Sequence, residues 1–336
     1  MHDFTVCGAG PVGSYLAWKL SKKGFNVLLL EEHKEIGEPL ACSGLVSRNL
    51  WNFIPENKKI VEREIKGARL HVGRKIHKFY SNPLVINRPA LDKLLAEKAE
   101  KSGAKLVKSA KLFSFLEGDE HVSLYIKSKI FENIKTKVLA GCDGPLSIVR
   151  KKMCLPSPRF LHGIFCYTDE KPDSYVDLYY KKAPGFFGWR IPRKECVEYG
   201  IASEKNAKKY FEKFSKKLKF SYERVYSGLI PFGLLPRITT KRVFLCGDAA
   251  SHTKPYSGGG IIYGLTSAEI ASSVIKPDEP NMKTYEKEWR ERLAKEIKTG
   301  LWIKRFYHLP SPFLNIALSS LSKKQYLEMD RPSSIW

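Results

Sequence analysis

Three glycines near the N-terminus, Gly8, Gly10 and Gly13, follow an apolar run and precede an amphipathic stretch, in the spacing G-x-G-x-x-G. In a strand–turn–helix unit the first glycine permits a tight turn. The second lets a pyrophosphate approach the main chain, and the third brings the helix close to the sheet. The helix N-terminus then offers N–H groups and a positive dipole end to the phosphates. This spacing predicts a dinucleotide-binding turn.

An acidic residue follows the next apolar run. Glu31 directly follows the run Val27–Leu30. Acids that bind the ribose lie about 20 residues after the first glycine of the motif, and Glu31 is close to that separation. A lone glycine motif is a weak signal, because a glycine-rich surface turn can carry it. Inside a complete strand–turn–helix–strand unit that ends in an acid, the same motif is specific.

Two later segments repeat the pattern of a strand that ends in an acid and a glycine. Lys137–Ala140 leads into Asp143-Gly144, and Arg242–Cys246 leads into Gly247-Asp248. A glycine run then opens a further helix at Gly258–Ile261. An N-cap or turn aspartate is the simpler interpretation of Asp248 alone, but the glycines that follow it favour a cofactor contact.

Taken together and in this order, the three motifs resemble those of the flavoprotein hydroxylase superfamily. They are most similar to its geranylgeranyl reductase branch, which includes the archaeal digeranylgeranylglycerophospholipid reductases. The resemblance covers about residues 1–275. It implies FAD bound in an extended form across an α/β fold, in which an FAD-binding Rossmann-like domain of the glutathione reductase type is interleaved with an antiparallel-sheet substrate domain. A short helical C-terminus follows.

The resemblance implies specific roles for individual residues. Glu31 would bind the adenosine ribose, Arg88 would lie near the phosphate and ribitol, and Asp248 would accept a hydrogen bond from a ribitol hydroxyl. Leu112 would contribute main chain at the adenine end. The predicted cofactor-binding residues are Gly8, Gly10, Val12, Gly13, Glu31, Cys42, Ser43, Gly44, Arg88, Leu112, Asp143, Asp248, Gly259, Gly260 and Ile261.

Two motifs resemble the reductase branch in particular. Cys42-Ser43-Gly44 is similar to a cysteine-containing loop that meets the isoalloxazine ring, which makes Cys42 the candidate catalytic residue; a small apolar loop residue is the alternative. The segment Pro184–Pro192 resembles the motif Pro-x-x-Tyr-x-Trp-x-Phe-Pro, with Phe187 in place of the tyrosine. Phe187 and Trp189 are therefore the predicted substrate contacts, against the alternative of an aromatic sheet core.

The sequence predicts an interleaved organisation. Helix-and-glycine segments alternate with segments of alternating apolar and polar residues, which favour antiparallel strands. The predicted FAD-binding domain comprises 1–45, 86–160 and 236–280, the substrate domain comprises 46–85 and 161–235, and a helical segment covers 281–336. Typical members of the family are expected to carry a larger C-terminal domain, so the floor of the substrate pocket is expected to be shortened or supplied by a partner chain.

Composition limits the partners and the compartment. The 336 residues carry a net charge of +23, and Gln325 is the only glutamine, a bias that favours a thermophile with a lysine-rich surface. The seven cysteines lack metal-type CxxC pairs, which favours a reducing cytoplasm, and no metal site is expected. No signal peptide and no membrane-spanning run of about 18 apolar residues is found. The aromatic and basic stretch 301–318 is a candidate contact with an anionic membrane, or else a helix pair that closes the pocket.

The expected function is FAD-dependent reduction of C=C bonds in a geranylgeranyl or polyprenyl group by hydride transfer from FADH2. The expected substrate is a hydrophobic isoprenoid or lipid, and the external electron donor is ferredoxin, reduced deazaflavin or NAD(P)H. Cys42, His252 or water would supply the proton.

Three alternatives stay open at this point. An FAD-dependent monooxygenase acting on an aromatic or quinone is the first. A nucleic-acid-binding flavoprotein is disfavoured, because the lysines are spread along the chain rather than clustered, and no nucleic-acid partner is expected. A flavoprotein that reduces quinone would need an iron–sulfur cysteine cluster, which the sequence does not show.

Overall fold

The structure is a computed structural model that describes residues 1–128, 133–322 and 330. The pattern at 129–131 predicts a strand, but this segment lies outside the described residues, as does most of the chain beyond 322. The strands are, in chain order, β1 His2–Cys7, β2 Val27–Leu30, β3 Leu45–Val46, β4 Val61–Glu64, β5 Gly67–Val72, β6 Lys75–Tyr80, β7 Leu84–Ile86, β8 Lys105–Val107, β9 Lys111–Glu117, β10 Val122–Lys127, β11 Asn133–Gly141, β12 Arg159–Thr168, β13 Tyr175–Ala183, β14 Phe186–Pro192, β15 Val197–Ser203, β16 Val225–Phe232 and β17 Val243–Leu245.

The helices connect these strands and form the C-terminal part of the described chain. They are α1 Pro11–Lys22, α2 Arg88–Lys101, α3 Ile148–Lys152, α4 Ala207–Leu218, α5 Ile261–Val274, α6 Met282–Trp289, α7 Lys295–Arg305 and α8 Ser311–Ser322. A π-helical turn at Arg290–Ala294 joins α6 to α7, and 3-10 turns lie at Arg48–Asn52, Lys58–Ile60, Gly247–Ala250 and Phe306–His308.

The first sheet carries the parallel strands that the glycine motif predicts. Its order is β8-β2-β1-β11-β10-β9, with β17 paired to β11. Strands β8, β2, β1, β11 and β17 run parallel to one another. Strand β10 pairs in antiparallel fashion with both β9 and β11. The four residues of β2 are all buried apolar side chains, as expected for a parallel strand covered on both faces.

The second sheet has the order β16-β12-β15-β14-β13-β5-β6. It is antiparallel as predicted, except that β5 and β13 pair in parallel. Helix α4 covers one face with Phe211 and Phe214 buried against the strands. The sequence 206–219 carries an apolar stripe with lysines opposite, which predicts a helix, and α4 matches these bounds within one residue. A third, small sheet has the order β3-β7-β4. The domain boundaries stay a prediction.

The C-terminal helices pack onto both parts. Tyr285 and Trp289 of α6 are completely buried in the same core as the first sheet. Helix α8 lies on β5 and β6, where Leu314 and Leu318 contact Leu70 and its neighbours. In the part of the chain that the structure describes, no helix combines the length and apolarity needed to cross a membrane.

The glycine turn generates a stability prediction. A Cβ at Gly13 would lie 1.9 Å from the carbonyl oxygen of Gly8, whereas a Cβ at Gly10 would meet no atom within 4 Å. Gly13→Ala must therefore push α1 away from β1, and we expect it to lower the free energy of unfolding by about 1–3 kcal/mol or more. Gly10→Ala is the matched control, expected within about 0.5 kcal/mol of the parent. Urea unfolding of the flavin-free proteins measures both, and equal losses would contradict this account.

Candidate functional site

The carboxyl ends of three parallel strands meet at one edge of the first sheet. Because β1, β11 and β17 run in the same direction, the turns that follow them are neighbours. A Cβ at Gly8 would lie 2.5 Å from the Cys142 carbonyl oxygen, and one at Gly247 would lie 3.0 Å from Val12 Cγ2. The three predicted motifs therefore converge on one site.

The first turn leaves room where a phosphate would need it. Gly8 has φ +98°, a left-handed conformation that favours glycine. Gly10 is the N-cap of α1 and faces open space. The first N–H groups of a helix have no partner within the helix, so this turn presents donors and an unobstructed approach.

Glu31 closes one side of this turn. Its side chain is buried and accepts hydrogen bonds from the Ala9 N–H at 2.8 Å and the His33 N–H at 2.9 Å. The Glu31 carbonyl oxygen accepts from Ala110 N–H at 2.8 Å, which brings the start of β9 to the same end of the site. The side chain of Leu112 is buried in the core, so any cofactor contact there would use its main chain.

Arg88 is a largely buried cation at the N-terminus of α2. It pairs with the Asp92 carboxylate at 3.2 Å and lies beside the Cys42 thiol. Burial works to lower the pKa of Arg88, but Asp92 and Cys42 raise it further, so the guanidinium stays charged. The main chain of Gly44 accepts from Ile86 N–H at 3.0 Å. Arg88, Cys42 and Gly44 are thus neighbours, and their contact with the cofactor stays a prediction.

Asp248 lies at the N-terminus of α5. A Cβ at Gly260 would come within 2.9 Å of its Oδ1 atom, so the carboxylate faces the glycines that open the helix. Burial raises the pKa of Asp248 to about 6, although Arg88 and Arg150 act in the opposite direction. Gly259 and Ile261 lie at the same helix end.

Asp143 has a local role that the sequence did not indicate. Its carboxylate accepts hydrogen bonds from Ser147 Oγ at 2.6 Å and from the N–H groups of Ile148 and Val149 at 2.7 and 3.1 Å. It therefore anchors the N-terminus of α3. Burial raises its pKa and these hydrogen bonds oppose the rise. Direct cofactor contact by Asp143 stays a prediction.

His252 is poorly suited to donate a proton. Its ring is completely buried against Trp289, with centroids 4.6 Å apart. Neither ring nitrogen has a hydrogen-bond partner among the described residues. Burial, reinforced by Arg290, lowers its pKa to about 3. With this pKa the imidazole is neutral at physiological pH, so His252 is a poor source of the proton.

The substrate motif lies on the face of the second sheet that meets the cofactor edge. Trp189 is directly opposite Gly200 in the register, and Gly200 is opposite Phe165, so these residues share one face. On this face a Cβ at Gly228 would lie 2.6 Å from the Ala41 carbonyl oxygen. Residues 38–44, which we call the Cys42 loop, therefore lie directly on this sheet face.

Aromatic side chains cover this face. Phe187 stacks on Phe186 with ring centroids 4.1 Å apart, and Tyr307 meets both edge-on. The Trp189 indole lies flat on Gly200, where a Cβ would come within 2.3 Å of the ring. Phe187 and Trp189 are both buried in one aromatic cluster, and their contact with substrate stays a prediction.

Two functional candidates escaped the sequence reasoning. Arg193 and Glu198 are both buried on this face, and their side chains pair at 2.9 Å. Burial raises the pKa of Glu198 to about 7, against the opposing charge of Arg193. The available signal was Glu198 itself, a charged residue within the otherwise uncharged strand Val197–Ser203.

The residues present fit FAD. The open turn at Gly10 and the helix end at α1 suit a pyrophosphate, and the buried Arg88 offsets negative charge beside it. Glu31 is aimed at the first turn, and the N-terminus of α5 with Asp248 suits the ribitol and the ring edge where negative charge develops on reduction.

Comparison with known proteins identifies the first half of the chain. Residues 1–162 match the model of the family described as FAD binding domain. The prediction of FAD as the cofactor is thereby confirmed.

The relatives of known name extend the likeness over nearly the whole chain. A digeranylgeranylglycerophospholipid reductase of Methanocella arvoryzae is 30% identical, over 95% of this chain and 91% of its own length. The corresponding protein of Methanothrix thermoacetophila is 27% identical, over 98% and 93%. The expectation that typical members carry a larger C-terminal domain stays a prediction.

A solved structure confirms the fold. A geranylgeranyl bacteriochlorophyll reductase-like protein from Thermoplasma acidophilum superimposes with a TM-score of 0.90. It is 23% identical, and the match covers 99% of this chain and 94% of that one. The predicted α/β arrangement with a second sheet and a helical C-terminus is therefore correct.

The buried Glu198 generates a pH prediction. Its pKa in the folded protein, about 7, lies above the ordinary value of 4.5. The stability that this group contributes is present below pH 4.5 and lost as the pH rises through about 7. In flavin-free protein, the stability of the parent relative to Glu198→Gln should fall over this interval by on the order of 3 kcal/mol. Denaturant unfolding from pH 4.5 to 8 tests this, and a pH-independent difference would contradict it.

Proposed function

The chain belongs to the digeranylgeranylglycerophospholipid reductase family of FAD-dependent oxidoreductases, and from this premise we propose that it saturates C=C bonds in the geranylgeranyl groups of an isoprenoid lipid. One observation supports this most directly. The Cys42 loop lies between Arg88 at the predicted cofactor edge and the aromatic face of the second sheet. A free, partly exposed thiol thus lies at the boundary between the predicted cofactor site and an apolar wall.

The apolar wall suits an unactivated alkene. When bound and reduced, FAD supplies the hydride. An isolated double bond offers no polar group to hold and no stabilised anion, so the protein has to contribute alignment and the exclusion of water. Phe186, Phe187, Trp189 and Tyr307 form an aromatic wall within one apolar cluster, which suits the chain of a prenyl group.

Cys42 is the proton donor in this proposal. Its Sγ atom accepts a hydrogen bond from the Gly44 N–H at 3.5 Å and lies beside the Arg88 guanidinium. Both groups stabilise the thiolate that is left when the proton moves to the second carbon of the double bond. The thiol then regains a proton from solvent, so the cycle consumes one hydride and one proton for each bond saturated.

The activity prediction separates this function from the alternatives. With FAD reduced anaerobically, we expect the lipid to gain two hydrogen atoms per double bond by mass spectrometry. Cys42→Ala should still bind FAD but slow saturation by about 10- to 100-fold, while Cys154→Ala, at an exposed thiol, should not. Unchanged turnover in Cys42→Ala would remove it from the chemistry.

Two further readouts belong to the same experiment. Oxygen consumption in step with product, using NAD(P)H and an aromatic substrate, would favour the monooxygenase instead. Anaerobic FAD reduction by ferredoxin, reduced deazaflavin or NAD(P)H identifies the external donor.

A lipid substrate also requires contact with its membrane. Helix α8 buries Leu314 and Leu318 on the second sheet but exposes 61% of Phe313 and 69% of Ile316. Trp302 is exposed on α7, and the chain carries a net charge of +23. In this proposal the outer face of α7 and α8 rests on an anionic bilayer, where basic charge and apolar side chains both favour binding.

Vesicle binding tests the membrane proposal. The double variant Phe313→Ser/Ile316→Ser should weaken binding to vesicles containing phosphatidylglycerol by about 100-fold, since each of the two buried apolar side chains contributes on the order of 1.5 kcal/mol. Leu116→Ser is the matched control, because Leu116 is 63% exposed but lies on β9. Equal loss in both, or none in either, would refute this docking face.

A further inference from the structure

A buried ion pair connects the Cys42 loop to the substrate motif. Arg193 follows β14, and Glu198 lies in β15 opposite Tyr167 and Ile191. These neighbours place Glu198 on the sheet face that carries the aromatic wall. Glu198 is 0% exposed and Arg193 is almost completely buried. Nothing in the proposed chemistry so far uses either side chain.

Arg193 uses its guanidinium to join separate segments. Its Nη1 atom donates to the Ser43 carbonyl oxygen at 2.7 Å and to Glu198 Oε2 at 2.9 Å. Its Nε atom donates to Glu62 Oε2 at 2.7 Å, and Nη2 donates to the Ile86 carbonyl oxygen at 3.4 Å. One side chain therefore fixes the Cys42 loop against the small sheet and the second sheet together.

The second oxygen of Glu198 completes the connection. Its Oε1 atom accepts from Trp189 Nε1 at 2.8 Å. The indole also lies against the bare main chain of Gly200. Hydrogen bonds thus run without a break from the Ser43 carbonyl, next to Cys42, through Arg193 and Glu198 to Trp189.

A gain in folding stability does not explain why the chain buries an arginine and a glutamate as a pair. Removing two charges from water is costly, and a well-packed apolar pair of similar size serves stability as well or better. Arginine differs from lysine in offering several donors in a rigid plane. That property matters where several acceptors have to be held in one geometry, as they are here.

We propose that Arg193 and Glu198 are positioning residues that hold the Cys42 thiol and the Trp189 indole at a fixed separation on either side of the substrate. The proposal rests on the reductase function argued above. The pair itself touches neither cofactor nor substrate in this proposal. It acts through the Ser43 carbonyl and the Trp189 indole, so its loss should affect the alignment of the reacting groups more than the binding of either ligand.

The first test requires no catalytic activity. In a Cys154→Ser/Cys196→Ser background, Cys42 is the one thiol that is not buried, so its reaction with a neutral disulfide reagent reports on the loop. Arg193→Lys should raise this rate by about threefold or more in flavin-free protein, because the loop loses its anchor. Glu198→Gln, which keeps an acceptor for Trp189, is a second variant and should give a smaller rise.

Arg190→Lys is the matched control. Arg190 lies within β14, three residues before Arg193, and on the opposite face, where it is equally buried and pairs with Glu170 and Asp173. The variant Arg190→Lys should leave the reaction rate of the Cys42 thiol unchanged. Equal acceleration in Arg190→Lys and Arg193→Lys would show a general loosening of the sheet and overturn the proposal.

Kinetics provide the second readout. In Arg193→Lys we expect kcat for lipid saturation to fall by about 10- to 100-fold, as misalignment does, while KM and the Kd for FAD stay within about threefold. A rise in KM with unchanged kcat would assign the pair to binding and overturn the positioning role. If the parent saturates no lipid, the proposed function fails, whereas the thiol rates still decide whether Arg193 anchors the loop.

Discussion

The close approach of α1 to the end of β1 is the contact on which the rest of the site depends. With Gly13 against the Gly8 carbonyl, the N-terminus of the helix lies directly over the strand ends. Val12 is then held against Gly247 and Gly264, where a Cβ would come within 3.0 and 2.4 Å of its side chain. Any extra atom here would separate the turns after β1 and β17, and with them the phosphate end and the ribitol end of the cofactor site.

Charge in the site is balanced in a different way from charge on the surface. The chain carries an excess of 23 positive charges, yet the cations beside the cofactor edge are few and each has an acidic neighbour. Arg88 pairs with Asp92, and together with Arg150 it opposes the rise that burial causes in the pKa of Asp248. Charge at this edge is therefore largely buried and partly balanced, and burial strengthens the electrostatic interactions made there.

The sequence predicted those parts of the structure that depend on local pattern. The unit from β1 to β2 follows from apolar periodicity and three glycines, and α4 begins and ends within one residue of its predicted bounds. The link from Arg193 to Ser43 spans 150 residues, and no local pattern encodes it. The parallel pairing of β5 with β13 depends likewise on long connections. His252 is a candidate proton donor in the sequence, and only its burial against Trp289 indicates that it is a poor one.

Selectivity in the proposed reaction has to come from shape. A prenyl chain carries no charge or hydrogen-bonding group near its double bonds, so directional polar contacts cannot select which bond meets the hydride. The aromatic wall combines Phe186 and Phe187 of the second sheet with Tyr307 from the C-terminal region, and rigid rings keep a defined outline that flexible side chains would lose. The polar contact on this sheet face is made at the edge of the ring: the buried Glu198 carboxylate accepts a hydrogen bond from the Trp189 indole N–H and so fixes the orientation of the indole.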